Sequence, residues 1–245
     1  MVETEGETDV PYVNDSKTYP EITQNPLDEI SLTAYALGGL GGLFLGLIPV
    51  LKFTNFNIYM IAFSLFHFLE FYTTAKYNPS KVSSDSFILN NGIEYTAAHL
   101  LGVFECFIEG YFFKSSKALT PVKIVISCIA IMLIIIGQLT RSIAMCTAGK
   151  SFSHFIKTEK ETDHVLVKDG IYAYLRHPSY FGFYWWAVGT QLLLLNPIST
   201  VVFLYVLWAF FRKRINIEER YLISFFGKDY VQYKKEVSTR IPFIE

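Results

Sequence analysis

Arg214 and Glu218 stand four residues apart in "FFRKRINIEERYLISFF", directly after the last apolar run of the chain. On a helix this spacing places a guanidinium and a carboxylate on one face, one turn apart. Read from the spacing alone, the pair is a surface salt bridge of little energetic consequence. A second cluster, "HVLVKDGIYAYLRHPSY", runs from His164 to Tyr180 and ends against another apolar run. Asp169-Gly170 marks a turn there, while Pro178 opens a helix and biases His177 toward an extended conformation. The free N–H groups and positive dipole end of that helix suit an anionic group such as a carboxylate. Tyr172, Tyr174 and Tyr180 offer ring faces and hydroxyls to a heteroaromatic base. Interfacial tyrosines and snorkelling arginines are also routine where a chain meets lipid, so the cluster alone leaves both readings open.

Further ionisable residues interrupt the apolar runs themselves. His67 and Glu70, three apart in "HFLE", share a helix face, and His99, Glu105 and Glu109 follow in the next run. A bundle metal site would use Glu-x-x-His on two helices with partner glutamates; the order here is reversed, so no metal is expected. Buried, hydrogen-bonded pairing is the commoner use of such groups, with function the default alternative inside lipid. Cys106, Cys128 and Cys146 are odd in number and sit in apolar runs, which indicates neither a disulfide framework nor a zinc site. Structural hydrogen bonding is expected of His154 and Asn196.

The elements that must position these residues are set by composition. Of 245 residues, 51% are hydrophobic and 18% charged, and the mean hydropathy is +0.31, too apolar for an ordinary soluble domain. A net charge of −1 argues against a nucleic-acid surface. Residues 1–30 form an acidic, proline-broken tail unlike a cleavable signal, expected to be disordered and cytosolic. Residues 31–146 then supply four transmembrane helices, near 31–51, 56–74, 94–113 and 121–146, each close to the ~20 residues a bilayer requires. Residues 147–245 hold a polar stretch, two shorter runs at 178–195 and 198–211 broken by Asn196-Pro197, and a terminal helix outside the lipid.

The fold class is thus an all-α integral membrane protein of about six transmembrane helices, the last two a short hairpin over 178–211. Lys and Arg near the span ends, Arg141 and Arg176 among them, favour cytosolic termini, against a basic loop at 114–123 that includes Lys117. Gly38, Gly42 and Gly46 form a small-residue stripe, which suits close helix packing either within the chain or in a homodimer.

The segments "TAGKSFSH", "HVLVKDGIYAYLRHPSYFG", "GTQLLLLNP" and "EERYLISFFGKDYVQYKKEV" resemble the isoprenylcysteine carboxyl methyltransferase family, most closely its shorter fungal form. The similarity runs from "NPLDEISLTAYALG" to "IPFIE" and leaves only the acidic tail uncovered. The resemblance implies methylation of the C-terminal carboxylate of farnesyl- or geranylgeranyl-cysteine in prenylated CaaX-type proteins. It also implies S-adenosyl-L-methionine as methyl donor and an endoplasmic reticulum membrane location. By resemblance, Lys157, His164, Val165, Leu166, Val167, Tyr172, His177, Pro178, Ser179, Tyr180 and Glu218 enclose the cofactor, and Arg214 holds the acceptor carboxylate. Lys157 stands where some relatives carry glutamine, which points to a backbone contact there. An α-carboxylate with a pKa near ~3.5 is ionised at neutral pH and needs no general base, so positioning carries the chemistry. Membrane sterol reductases share a tyrosine-rich Arg-His-Pro arrangement but use NADPH. They are the enzymatic alternative, and a scaffold or transporter is the non-enzymatic one.

Overall fold

Proline opens the three helices around which the polar clusters gather, and glycine closes the first and the last of them. The computed structural model describes residues 25–50, 54–90, 92–113, 117–118, 120–161 and 164–245. Among them are seven α-helices and no strand: α1 Leu27–Leu47, α2 Thr54–Tyr77, α3 Ile93–Phe112, α4 Pro121–Ala148, α5 Pro178–Leu193, α6 Pro197–Phe226 and α7 Lys228–Glu236. Pro121, Pro178 and Pro197 each occupy the first helical turn, where the missing N–H costs nothing. Gly149 and Gly227 end α4 and α6 at φ +50° and +56°, a backbone region that other residues enter only with strain. Most of the acidic tail and part of the "KFTN" turn lie outside the described residues.

α1, α2 and the stretch Pro121–Ser151 are long and apolar enough to cross a membrane. α3 is interrupted by His99, Glu105 and Glu109, and α5, at 16 residues, is only about 24 Å long. α6 differs from the expected short arm ending at Phe211. It continues without a break through Arg214 and Glu218 to Phe226, 30 residues in all, or about 45 Å. No proline or glycine interrupts the sequence between Pro197 and Gly227, so nothing stops the helix where the apolar run ends.

The tightest helix contact is between α4 and α5. A Cβ at Gly137 would come within 2.6 Å of the Gly182 carbonyl oxygen, and one at Gly182 within 2.6 Å of the Gly137 carbonyl oxygen. Backbone thus meets backbone, the packing that small residues permit where lipid supplies no hydrophobic drive. The Gly38, Gly42 and Gly46 stripe does not serve this purpose within the chain. A Cβ at any of the three meets no described neighbour within 4 Å, and α1 instead approaches α2 at Gly41, where a Cβ would lie 3.4 Å from Ser64.

Glu105 and Glu109 hold the other end of α6. The Glu105 carboxylate accepts from the backbone N–H groups of Ile198 (2.8 Å) and Ser199 (2.7 Å), capping α6 from α3. Lys117 bonds Glu109 (2.7 Å) and donates to the Leu194 and Leu195 carbonyls and the Asn196 side chain. It is therefore a clamp on the α5–α6 turn and a poor witness to topology. Asn196 donates to the Gly102 carbonyl oxygen (2.7 Å). Glu105→Ala should orphan the buried Ser199 N–H and the part-buried Ile198 N–H and cost about 1–3 kcal/mol, read as a lower unfolding midpoint of the purified protein; an unchanged midpoint would mean that water replaces the cap.

Candidate functional site

Where the two polar clusters meet, a cavity opens between the loop after α4, the N-terminus of α5 and one face of α6. Ala148, Ser151, Phe152 and Ser153 form one wall, and His164, Val165, Leu166, Val167 and Tyr172 a second. Arg176, His177, Pro178, Ser179 and Tyr180 supply the entry to α5, and Glu218, Leu222, Phe226, Tyr230 and Tyr233 close the remaining side. The extended segment 164–167 is tied to the loop by a bond from the Val165 N–H to the Ser151 hydroxyl (3.2 Å). The Tyr233 hydroxyl donates to the Tyr172 carbonyl oxygen (2.7 Å), linking α7 to the other side of the cavity.

Arg214, Tyr180 and Glu218 form a continuous chain of bonds. Arg214 Nε donates to the Tyr180 hydroxyl (2.8 Å), which donates to Glu218 Oε2 (2.5 Å). Arg214 does not pair directly with Glu218, so the surface salt bridge considered from the sequence is not what this spacing builds. Arg214 Nη2 donates to the His154 carbonyl oxygen (2.5 Å), and His154 Nε2 lies 3.0 Å from Glu70 Oε2. Glu70 is also bound by Arg141 through Nε and through Nη2 (2.8 Å). Arg141 Nη1 reaches the Ser179 hydroxyl (2.8 Å) in the cavity wall. Glu70 and Arg141 are 1% and 7% exposed, so Arg141, counted above among the loop cations, is an interior ion-pair partner instead.

A second network fixes the cavity's outer wall. Arg176 Nε donates to Glu219 Oε1 (2.6 Å) and its Nη1 to the Val237 carbonyl oxygen (2.5 Å). His177 Nε2 lies 3.0 Å from the same carboxylate, and Lys234 Nζ donates to Oε2 (2.5 Å). Burial alone would raise the Glu219 pKa, but the bonds and charges of His177, Lys234 and Arg176 outweigh it and hold the carboxyl at about 2. A depressed carboxylate pKa adds stability that is complete above the ordinary value near ~4.5 and is lost as pH falls through the folded value. Docking of α7 should therefore weaken between about pH 4.5 and about 2, seen as faster hydrogen exchange in 228–236. Glu219→Gln should flatten that dependence, and an unaltered pH profile would refute the assignment.

Ten of the residues proposed from sequence line this cavity: His164, Val165, Leu166, Val167, Tyr172, His177, Pro178, Ser179, Tyr180 and Glu218. Lys157 lies in an adjoining recess shared with His164 and Glu218, and its ammonium is bound to Glu161 (2.8 Å). Arg214 joins the cavity wall through Tyr180. His67 and Glu70 do not converge: His67 faces the Phe87 carbonyl oxygen (2.7 Å) and the Tyr95 hydroxyl (3.0 Å). The sequence reading missed Ala148, Ser151, Phe152, Ser153, Arg176, Leu222, Phe226, Tyr230 and Tyr233 as cavity residues. Leu222 and Phe226 were within reach of it, since they continue the four-residue spacing from Arg214 and Glu218 along one face.

Comparison with known proteins gives this geometry a context. Residues 129–224 match the isoprenylcysteine carboxyl methyltransferase (ICMT) family. The protein-S-isoprenylcysteine O-methyltransferase of Saccharomyces cerevisiae is 55% identical over 238 residues, covering 95% of this chain and 98% of its own. That of Schizosaccharomyces pombe is 47% identical, covering 88% and 94%. A solved structure of the eukaryotic intramembrane Ras methyltransferase ICMT superposes with a TM-score of 0.84 at 41% identity, over 88% of this chain and 77% of that one. With a fold and a sequence shared over nearly its whole length, the chain belongs to the isoprenylcysteine carboxyl methyltransferase family.

Proposed function

We propose that this chain methylates the C-terminal carboxylate of farnesyl- or geranylgeranyl-cysteine in CaaX-processed proteins, with S-adenosyl-L-methionine as methyl donor. The observation that carries the reading is the arrangement of Arg214, Tyr180 and Glu218, which sets a guanidinium and a carboxylate one turn apart on α6 beside a cavity walled by tyrosines and loop backbone. The residues fit the donor's chemistry. Glu218 matches an ammonium, Tyr172 lines the cavity with an aromatic ring suited to a purine, and segment 164–167 brings main-chain donors and acceptors. Bound there, the donor supplies a methyl group on a positively charged sulfur. Arg214 has the planar fork that orients a carboxylate, and the Tyr180 hydroxyl fixes that fork from the cavity side. His154 holds it from the other.

The acceptor arrives ionised, so Arg214 need only align one oxygen and exclude water. The relatives are methyltransferases, which disfavours hydride transfer from NADPH. Purified protein should transfer a tritiated methyl group to farnesylcysteine; NADPH oxidation without methyl transfer would overturn the reading.

The family resemblance supports six spans, α1 to α6, with α5 and α6 as the hairpin, three of them long and apolar enough by themselves. α6 exceeds the ~30 Å hydrocarbon core by enough to lift Glu218 beyond it. The division into an acidic tail (1–30), a four-helix region (31–146) and a catalytic region (147–245) follows. Endoplasmic reticulum residence with termini and cavity facing the cytosol belongs to the same proposal. So does homodimerisation through Gly38, Gly42 and Gly46, which face no described neighbour in the chain.

A further inference from the structure

Beyond α7 the chain turns back to the apolar part of α6. Residues 239–244 form a closed loop. The Thr239 hydroxyl donates to the Ile244 carbonyl oxygen and accepts from the Ile241 N–H (3.2 Å), while the Ile244 N–H bonds the Ile241 carbonyl oxygen (3.1 Å). Ile241 and Ile244 are buried in the same apolar core as Phe211 and Ile215 of α6, so the loop cannot swing away. Trp208 Nε1 donates to the Pro242 carbonyl oxygen (3.0 Å), and the Arg176 N–H bonds the Ser238 carbonyl oxygen (3.0 Å), which ties the loop's approach to the entry of α5.

The Trp208 bond sets the loop's depth. Trp208 lies inside the apolar run of α6, one turn before Arg212, the first charge after that run. Tyr205, Val206 and Phe210 around it are exposed, which on a spanning helix means that they face lipid. Pro242 therefore sits level with the last apolar turn, and its neighbour Phe243 is 91% exposed there. Arg240 and Phe243 hold left-handed backbone, φ +53° and +60°, which non-glycine residues enter rarely. The loop thus accepts strain at both residues while burying its isoleucines and leaving its phenylalanine out. Arg212 stacks over the Trp208 ring (5.2 Å to its centre), and Arg212 and Arg240 are exposed and pair with no described carboxylate. Aromatic rings and arginines gathered at one level suit the boundary between headgroups and acyl chains.

We infer that loop 239–244 is an interfacial anchor seated on the lipid leaflet, with Phe243 entering the boundary beside Trp208 and with Arg212 and Arg240 at the lipid phosphates. This rests on the proposal that α6 crosses the bilayer. The test places the photoreactive analogue p-benzoylphenylalanine at position 243 of the full chain, in nanodiscs of equal parts phosphatidylcholine and phosphatidylserine, and measures lipid adducts by mass spectrometry after irradiation. The same group at Tyr205 is the reference for lipid contact, and at Gln232, exposed on α7, the reference for water. Position 243 should label lipid about tenfold more than position 232, the scale of one aromatic ring moved out of water. Its adducts should favour phosphatidylserine about fivefold, the scale of one cation at an anionic surface, and Arg212→Gln with Arg240→Gln should bring the two lipids level. An unchanged preference would overturn the role of the arginines. A yield at 243 no higher than at 232 would overturn the anchor, as would an adduct with a second copy of the chain in place of lipid. Labelling at 205 without labelling at 243 removes the anchor alone; if 205 also fails to label lipid, the crossing of α6 falls and the anchor with it.

Discussion

Arg214→Lys should lower turnover with farnesylcysteine roughly 100-fold or more while leaving donor affinity within about twofold. A lysine keeps the charge but loses the fork. Arg214 now donates from Nε to Tyr180 and from Nη2 to the His154 carbonyl oxygen, which spreads the guanidinium plane between two anchors and leaves Nη1 to meet an acceptor. An ammonium reaching the same place would satisfy at most part of this, and a carboxylate displaced by about 1 Å can cost 10²-fold in rate. Glu218→Gln provides the contrast. It should raise the donor KM about tenfold, since a neutral amide replaces the partner of an ammonium, with a smaller change in turnover at saturation. The two effects are separable by isothermal binding of S-adenosylhomocysteine. A nearly unaltered rate in Arg214→Lys would remove the assigned role, and unaltered donor affinity in Glu218→Gln would do the same for its own.

Helix starts were readable because Pro121, Pro178 and Pro197 punctuate the apolar runs, while the end of α6 was not, because the helix outlasts its apolar run. The cavity was readable in part for a different reason. Its cofactor-loop residues lie within 17 consecutive positions, His164 to Tyr180, and Glu218 returns one turn after Arg214 along α6. What local pattern could not reveal was pairing across the chain. Arg141 sits at the end of an apolar run and looks like a flanking cation, but its partner is 71 residues earlier. Lys117 likewise looks like a loop charge until the α5–α6 turn folds onto it. The glycine stripe in α1 was the conspicuous small-residue pattern, yet the close approach uses Gly137 and Gly182, set in sparser seven-residue rows, Ala130, Gly137 and Ala144 on α4 and Gly182 and Gly189 on α5. Tyr230 and Tyr233 were missed because Gly227 starts a new helix and resets the register that begins at Arg214.

Breaking the Glu70–Arg141 pair should have the largest effect on stability of any single substitution considered. Glu70→Leu leaves the Arg141 guanidinium buried without its carboxylate, a loss of about 3–5 kcal/mol, and it also strips His154 of its partner. Arg141→Met leaves Glu70 with His154 alone. Removing both charges together, Glu70→Leu with Arg141→Met, replaces an ion pair by apolar side chains, which is often nearly neutral for stability. The double variant should therefore unfold close to the unaltered protein, while each single variant unfolds far below it. Activity should not follow stability back. Arg141 also holds the Ser179 hydroxyl in the cavity wall, and Glu70 orients the residue whose carbonyl holds Arg214, so the double variant should regain its folding midpoint and still turn over slowly. If restored stability brought full activity with it, the pair would be a fastener between α2 and α4 with no part in placing the site; if the singles were as stable as the double, the charges would already be solvated and the buried pair would not exist.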